Sequence, residues 1–403
     1  MGFRLSASYR TPDAFSRGIL WHTLVFVLEE HGAVRSVDRI ETIIRRDQKD
    51  ATYKYALLHA PCEIAQTASR KVRWYPDGKV GVLRELVVEK WLLYYWPLVG
   101  PDLHAGAVAF PQKRGAEKNV LITFRSALLR LIRHYDRLGG FSCFYQNDKN
   151  CNLGDVTLGL LDDALNSIAN TIVVGPVQYA GGALDEEERF FSFRGRRTAR
   201  RVYAAAAGLE GCLGEIFVSS TVWKEMCFIG YWVGKSIVLR WAELIAEMAV
   251  GRLQPSQVVE RLLIRSEEAR DVSLAKQVYS DIRRLQCVWR WAPLRSFEVD
   301  HLILFSLWHN NDLWNLLPAA WQVNRVKRDM LVSRSTPLAS SDLILHYWRL
   351  LRNGNERRFD MELDRSVLHR GADTSGWEPL AFAGLTEAVE TVALQRGVQR
   401  WSA

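Results

Sequence analysis

Segments with helical spacing of apolar residues recur along most of the 403-residue chain, and this repetition limits the fold more than any other feature. They span residues 14–32, 50–68, 83–96, 117–140 and 235–251, and glycine or proline closes most of them. We expect the helix over 83–96 to stop at Pro97. Residues 71–82 alternate around a Pro-Asp-Gly turn, which predicts a hairpin. The sequence therefore predicts an α+β fold that is predominantly α-helical.

Charge and cysteine usage narrow the class of protein. The net charge of +8 and the pI of about 9.2 favour an anionic partner, nucleic acid before a membrane surface. No apolar run is long enough to span a bilayer, and MGFRLSASYRTPDAF lacks the apolar segment of a signal peptide. The six cysteines form no CxxC pair. We therefore expect a reduced cytoplasmic chain without membrane insertion and without structural zinc.

Residues 299–327, VDHLILFSLWHNNDLWNLLPAAWQVNRVK, place small polar groups in an apolar, tryptophan-rich stretch. Asp300 and His301 are adjacent and fall in a stretch, FEVDHLI, that alternates as a strand does. Asn324 lies nine residues after Asn315, and Pro318 suits the first turn of a helix. Buried polar groups need partners, and a metal ion is one possible partner.

This pattern resembles the HNH endonucleases, whose ββα-metal core has Asp-His on the first strand, asparagine in a loop and histidine or asparagine on a helix. The resemblance covers residues 286–345 and includes the flanking segments FSLW, NLLPA and RVKRD. It departs at Leu304, where many members have proline. The predicted architecture is therefore a large helical N-terminal region with a small ββα-metal module near the C-terminus.

The resemblance implies a metal-dependent endonuclease that hydrolyses phosphodiester bonds in DNA. Asp300 and the side-chain oxygen of Asn324 would bind a single Mg²⁺ or Mn²⁺, an ion that takes few protein ligands. His301 would be the general base, and Asn315 would hold its ring. Lys327 would assist at the phosphate. These five residues form the predicted catalytic and metal-binding set.

One HNH site cuts one strand per event, so a monomer would nick DNA and leave 3′-hydroxyl and 5′-phosphate ends. Members with accessory domains often lie in bacterial anti-phage loci, and Zorya type II systems contain one. Phage or plasmid DNA and other defence proteins are therefore the expected partners, with the oligomeric state left open. Two alternatives remain: a nucleic-acid-binding or interaction scaffold with a degenerate site, and an RNA-directed toxin of the same fold. His309 is an alternative candidate to His301 for the general base.

The chain divides into a mainly helical accessory or DNA-binding region (1–285), the HNH module (286–345) and C-terminal helices (346–403) expected to pack on that module. Basic residues beside aromatic ones are candidate DNA contacts. They are Arg194, Arg196, Arg197, Arg200, Arg201, Arg325 and Arg328. The acidic run 185–188 could instead neutralise the first five. A second candidate stripe contains Arg125, Arg130, Arg133 and Arg137.

Overall fold

The computed structural model describes residues 35–100, 110–114, 122–149, 152–181, 189–195, 213–263, 270–308, 310–368 and 376–403. Several sequence-based predictions lie outside these residues: the helix over 14–32, the acidic run 185–188, Arg196, Arg197, Arg200, Arg201 and His309. The described residues form an α+β fold that is predominantly α-helical, as predicted.

A first hydrophobic core joins buried residues from Ile40 to Leu262. The helices that surround it are α1 Ser36–Glu41, α2 Tyr53–Thr67, α3 Arg84–Val99, α4 Arg125–Asp136, α5 Gly140–Lys149, α6 Asp155–Val174, α7 Pro176–Tyr179, α8 Ser220–Met248 and α9 Pro255–Leu263. Trp91, Trp223 and Trp241 are almost completely buried in it. These large rings therefore contribute apolar burial to the fold.

Helix α8 is the longest helix of the described chain and packs along α2. It begins after Ser219, whose hydroxyl accepts a hydrogen bond from the Val222 N–H and caps the helix. Gly230 allows the close approach to α2, since a Cβ there would lie 3.0 Å from the carbonyl oxygen of Cys62. The Gln66 side chain of α2 donates to the Met226 carbonyl at 2.7 Å, which fixes the two helices in register.

A four-stranded antiparallel sheet lies beside this helical core in the order β1-β2-β4-β3. Its strands are β1 Arg73–Trp74, β2 Lys79–Leu83, β3 Ser192–Arg194 and β4 Glu215–Ser219. The predicted hairpin is confirmed, because β1 pairs with β2 across the turn at Gly78, where φ is +73°.

A second hydrophobic core joins buried residues from Ala275 to Trp401. Its elements are α10 Ser273–Ser280, β5 Glu298–His301, α11 Phe305–Trp308, β6 Leu316–Ala319, α12 Trp321–Lys327, β7 Leu331–Val332, α13 Ser335–Ala339, α14 Ser341–Arg352, α15 Glu356–Ser366, α16 Trp377–Arg396 and β8 Arg400–Trp401. The Trp348 indole of α14 donates to the Trp314 carbonyl at 2.8 Å. The C-terminal helices thus share one core with residues 286–345.

Several boundaries differ from the sequence-based expectation. The helix predicted over 235–251 is the C-terminal part of α8, which begins at Ser220, and the helix predicted over 117–140 ends as α4 at Asp136, with α5 starting at Gly140. Helix α3 continues past Pro97 to Val99, since the proline removes one main-chain donor and the Gly100 N–H still bonds to the Trp96 carbonyl. Pro318 lies in β6 instead of opening a helix. The second core begins at Ala275, earlier than the expected boundary at 285, because α10 packs against α14, β5 and β6.

Polar contacts join the parts of the chain that form the two cores. Lys71 pairs with Asp364 at 2.7 Å, and Arg70 forms an ion pair with Glu387. The Gln395 side chain donates to the Ala65 carbonyl at 3.3 Å. Among the described helices, none combines the length and apolar character needed to cross a lipid bilayer.

Candidate functional site

The segment singled out by the sequence folds as two antiparallel strands followed by a helix. Strand β5 pairs with β6, and His301 lies opposite Leu316 in the register. Helix α12 follows β6 directly and buries Val323 against the strands. It ends at Lys327, because Arg328 adopts a positive φ of 45° that does not continue a right-handed helix.

Side chains alternate along β5, so Glu298 and Asp300 share the face that meets α12. The Asn324 amide donates to the Glu298 carboxylate at 2.7 Å. One helical turn later, the Lys327 ammonium donates to Asp300 Oδ2 at 2.7 Å and to the main-chain oxygen of His301. Two carboxylates of the strand are thus matched with two polar side chains of the helix.

The ion pair between Asp300 and Lys327 is almost completely removed from water. The exposed fractions are 3% for Asp300 and 0% for Lys327. The Trp289 indole also donates to Asp300 Oδ2 at 2.8 Å, and its ring lies 5.6 Å from the ammonium. Burial lowers the pKa of Lys327, and the Asp300 carboxylate opposes that shift.

His301 projects to the opposite face of β5. Its Nε2 lies 3.2 Å from Asn311 Oδ1 and its ring stacks edge-on against Phe305. Nδ1 is buried with no hydrogen-bond partner among the described residues. Burial lowers the pKa of His301 to about 4, with positive charge at Arg270 and Lys327 adding to the effect. The imidazole is therefore neutral at pH 7, the form a general base requires.

A cavity of about 320 Å³ lies on the His301 side of the module. Asn311, Leu316, Asp271 and Arg358 contribute to its lining. Asn311 is the residue that touches the imidazole, whose own exposed fraction is 2%. A ligand in this cavity would reach His301 only by displacing the Asn311 side chain.

Asn315 anchors the loop between β5 and β6. Its Oδ1 accepts from the Ile303 N–H at 2.7 Å, and its Nδ2 donates to the Ile303 carbonyl at 2.9 Å. The expected contact between Asn315 and the His301 ring is therefore wrong, and Asn311 makes that contact. The amide is fully buried, and its oxygen and one of its N–H groups bond to the main chain of Ile303 instead of the imidazole.

A buried acidic pair beside this loop was missed by the sequence-based reasoning. Glu362 of α15 accepts from the Leu313 N–H and from Arg358, both at 2.7 Å. Burial raises the pKa of Glu362 to about 7, and the nearby Asp312 carboxylate adds to the shift. Asp312 Oδ2 accepts in turn from Ser366. Helix spacing around Glu362 gives no signal that distinguishes it from a solvated acid.

The described arginines proposed as DNA contacts fall in both parts of the protein. Arg194 lies on β3 in the first, with its guanidinium 4.9 Å from the Phe217 ring. Arg130 forms an ion pair with Asp163 at 2.8 Å. Arg325 and Arg328 are exposed at the end of α12. The structure thus links only the last two directly to the strand–helix module.

The donor chemistry of the module fits a hard divalent cation. Asp300 and Glu298 supply carboxylate oxygens on one face of the strand–helix contact, as Mg²⁺ and Mn²⁺ prefer, whereas Asn324 presents its amide nitrogen to Glu298 and would have to turn to offer its oxygen. Asp300 and the His301 carbonyl already hold one cation, the ammonium of Lys327. Among the described residues, no three His, Cys, Asp or Glu side chains cluster closely enough to hold a metal. A metal here would therefore depend on amide and main-chain oxygens in addition to Asp300.

By fold, the protein joins a helical unit with a small sheet to a second unit carrying the strand–strand–helix module. A model of the domain of unknown function DUF8808 matches residues 33–262, more than half of the chain, so the protein belongs to that family. The match covers the first hydrophobic core and ends before β5. No curated protein and no solved structure matches the chain significantly.

Proposed function

We propose that this protein is a metal-dependent endonuclease of the HNH type that nicks DNA. The observation that carries the proposal is the β5–loop–β6–α12 arrangement. It brings Asp300 to the helix that bears Asn324 and Lys327, and it places His301 at the end of the same strand. The loop between the strands is held by Asn315.

In this proposal Asp300 and Asn324 hold one Mg²⁺ or Mn²⁺. When bound, the ion would stabilise negative charge on the phosphate and on the leaving oxygen. The neutral His301 ring would accept the proton of the attacking water. Because Asn311 Oδ1 is an acceptor, Nε2 carries the proton in this structure, and the ring lies on the face of β5 opposite Asp300. Substrate would therefore have to displace Asn311, bring the imidazole to the Asp300 side and shift the proton to Nδ1 before Nε2 could act as the base. Lys327, released from Asp300, supplies positive charge to the phosphate.

A second function is favoured by the burial of the same groups. Asp300 is neutralised by Lys327, and His301 is 2% exposed, as expected of a site that keeps its fold without cleaving. That alternative is a nucleic-acid-binding or interaction scaffold. The third candidate is an RNA-directed enzyme of the same kind, since the site residues do not distinguish ribose from deoxyribose.

Incubation of supercoiled plasmid with the purified protein tests the first proposal. We expect conversion to the open-circular form with Mg²⁺ or Mn²⁺ and none with EDTA. His301→Ala should lower the rate at least a hundredfold, the usual contribution of general base catalysis. His346→Ala is the matched control, because His346 is exposed on α14 in the same unit.

Intact plasmid in all three conditions, together with gel-shift binding, would favour the scaffold. Cleavage of a structured RNA but not of plasmid would favour the RNA-directed enzyme. Metal-independent cleavage, or equal rates for His301→Ala and wild type, would contradict the assignment of the site. A cytoplasmic anti-phage role with other defence proteins as partners belongs to the same proposal. Phage plating on cells that express wild type or His301→Ala tests that role.

A further inference from the structure

Two exposed tryptophans flank the proposed site. Trp291 and Trp321 are each 45% exposed, although most tryptophans of the described chain are buried. Trp321 opens α12 one turn before Asn324, and the Arg325 guanidinium lies 5.6 Å from its ring. Exposure alone does not distinguish them, since Trp74 and Trp232 are more exposed, but Trp321 and Trp291 lie close in sequence to residues of the proposed site region, Asn324 and Trp289.

The turn that carries Trp291 is built onto the same corner of the module. Ala320 N–H donates to Cys287 Sγ at 3.3 Å, and Val288 N–H donates to the Pro318 carbonyl at 2.9 Å. Within this turn Trp289 points inward to Asp300, while Trp291, two residues later, is exposed. The turn therefore connects the buried carboxylate of the proposed site with an aromatic surface outside it.

Trp291 is held in a left-handed conformation with φ at 58°. A bulky side chain is rarely found there, and such strain is often retained at functional positions. Its N–H donates to the Cys287 carbonyl at 2.8 Å, and its own carbonyl accepts from the Gln286 side chain. Both contacts fix the backbone in the conformation that leaves the indole in solvent.

The segments that carry the two rings are positively charged. In residues 281–298 and 320–329, six exposed arginines outnumber three exposed carboxylates. The arginines are Arg283, Arg284, Arg290, Arg295, Arg325 and Arg328, and the carboxylates are Asp281, Glu298 and Asp329. Exposed aromatic rings interleaved with arginines match a single nucleic-acid strand, whose bases stack while its phosphates pair.

We infer that Trp291 and Trp321 form a stacking surface for an unpaired nucleic-acid strand next to the proposed nuclease site. The inference rests on the proposed function, since it names how the substrate is held. Bases in a duplex are stacked on each other and cannot lie flat on an indole. The surface therefore prefers a single strand or a locally opened duplex.

Fluorescence anisotropy with a labelled oligothymidylate in EDTA tests the inference without requiring cleavage. Trp291→Ala and Trp321→Ala should each weaken binding about tenfold, within the range measured for loss of one base stack. Trp321→Phe should restore most of the affinity, because a ring remains. Trp232→Ala is the matched control, since Trp232 is 69% exposed on α8 and should bind as wild type does.

Circular dichroism melting of each variant verifies that the fold is retained. The inference is overturned if either alanine variant binds as wild type does, if Trp232→Ala weakens binding equally, or if a duplex binds more tightly than the single strand. Tryptophan-dependent binding by a protein that leaves plasmid intact would uphold the surface and reject the nuclease. Plasmid nicking that neither alanine substitution changes would uphold the nuclease and reject the stacking surface.

Discussion

Replacing Lys327 with methionine is the sharpest test of how the proposed site is built. Methionine keeps most of the length of the side chain and removes its charge. Asp300 would then be a carboxylate 3% exposed, with the Trp289 indole as its remaining side-chain donor among the described residues. Removing one partner of a buried ion pair costs about 3–5 kcal/mol of unfolding free energy. For a core of this size, that corresponds to a fall of roughly 10–20 °C in melting temperature.

Differential scanning calorimetry of the full chain measures the effect. Arg352→Met is the matched control, because 35% and 48% of the two side chains in its ion pair with Asp360 stay exposed, so the pair should contribute less than about 1 kcal/mol. The double variant Asp300→Asn/Lys327→Met should recover much of the loss, since neither charge stays buried. Added Mn²⁺ should stabilise Lys327→Met more than wild type, because a divalent cation can replace the ammonium beside Asp300.

The reasoning is refuted if Lys327→Met melts within the range of Arg352→Met, or if the double variant is no more stable than the single one.

Three further outcomes follow from contacts around the module. Glu362, with its folded pKa raised from 4.5 to about 7, contributes stability below pH 4.5 that is lost as the pH rises through 7. The loss of unfolding free energy caused by Glu362→Gln, measured by urea unfolding, should therefore be about 3 kcal/mol larger at pH 5 than at pH 8. An equal loss at both pH values would contradict this. Asn315→Ala should destabilise by about 2–5 kcal/mol, because the N–H and carbonyl of Ile303 lose their partners, and a melting curve matching wild type would remove its anchoring role. Asn324→His should nick plasmid faster than Asn324→Ala across a Mn²⁺ titration, since imidazole can bind the ion, and equal loss in both would reject the ligand role.

The sequence predicted the helical elements well because their apolar spacing is a local property. Helix α2 and the hairpin of β1 and β2 follow directly from periodicity and turn residues. Pro318 was misplaced because its ring suits either a first helical turn or a strand, and only pairing with β5 selects the strand. Local sequence carries no information about that pairing.

The site was only partly predictable for the same reason. The spacing of Asn324 and Lys327 showed that they share a helix face, and both meet β5 as that implies. The partners of His301 and Asn315 are set by the path of the loop, which periodicity does not describe. Trp289 and Glu362 contact the site region from outside the motif, so no spacing rule could have found them.

The separation of the two hydrophobic cores has a consequence for how the protein tolerates change. Distant substitutions without shared partners usually have additive effects on stability. A substitution in the core around Trp91 would therefore reach Asp300 only through contacts such as Lys71 with Asp364 and Gln395 with Ala65. We therefore expect most substitutions in the first core to leave the buried pair of Asp300 and Lys327 unchanged in stability.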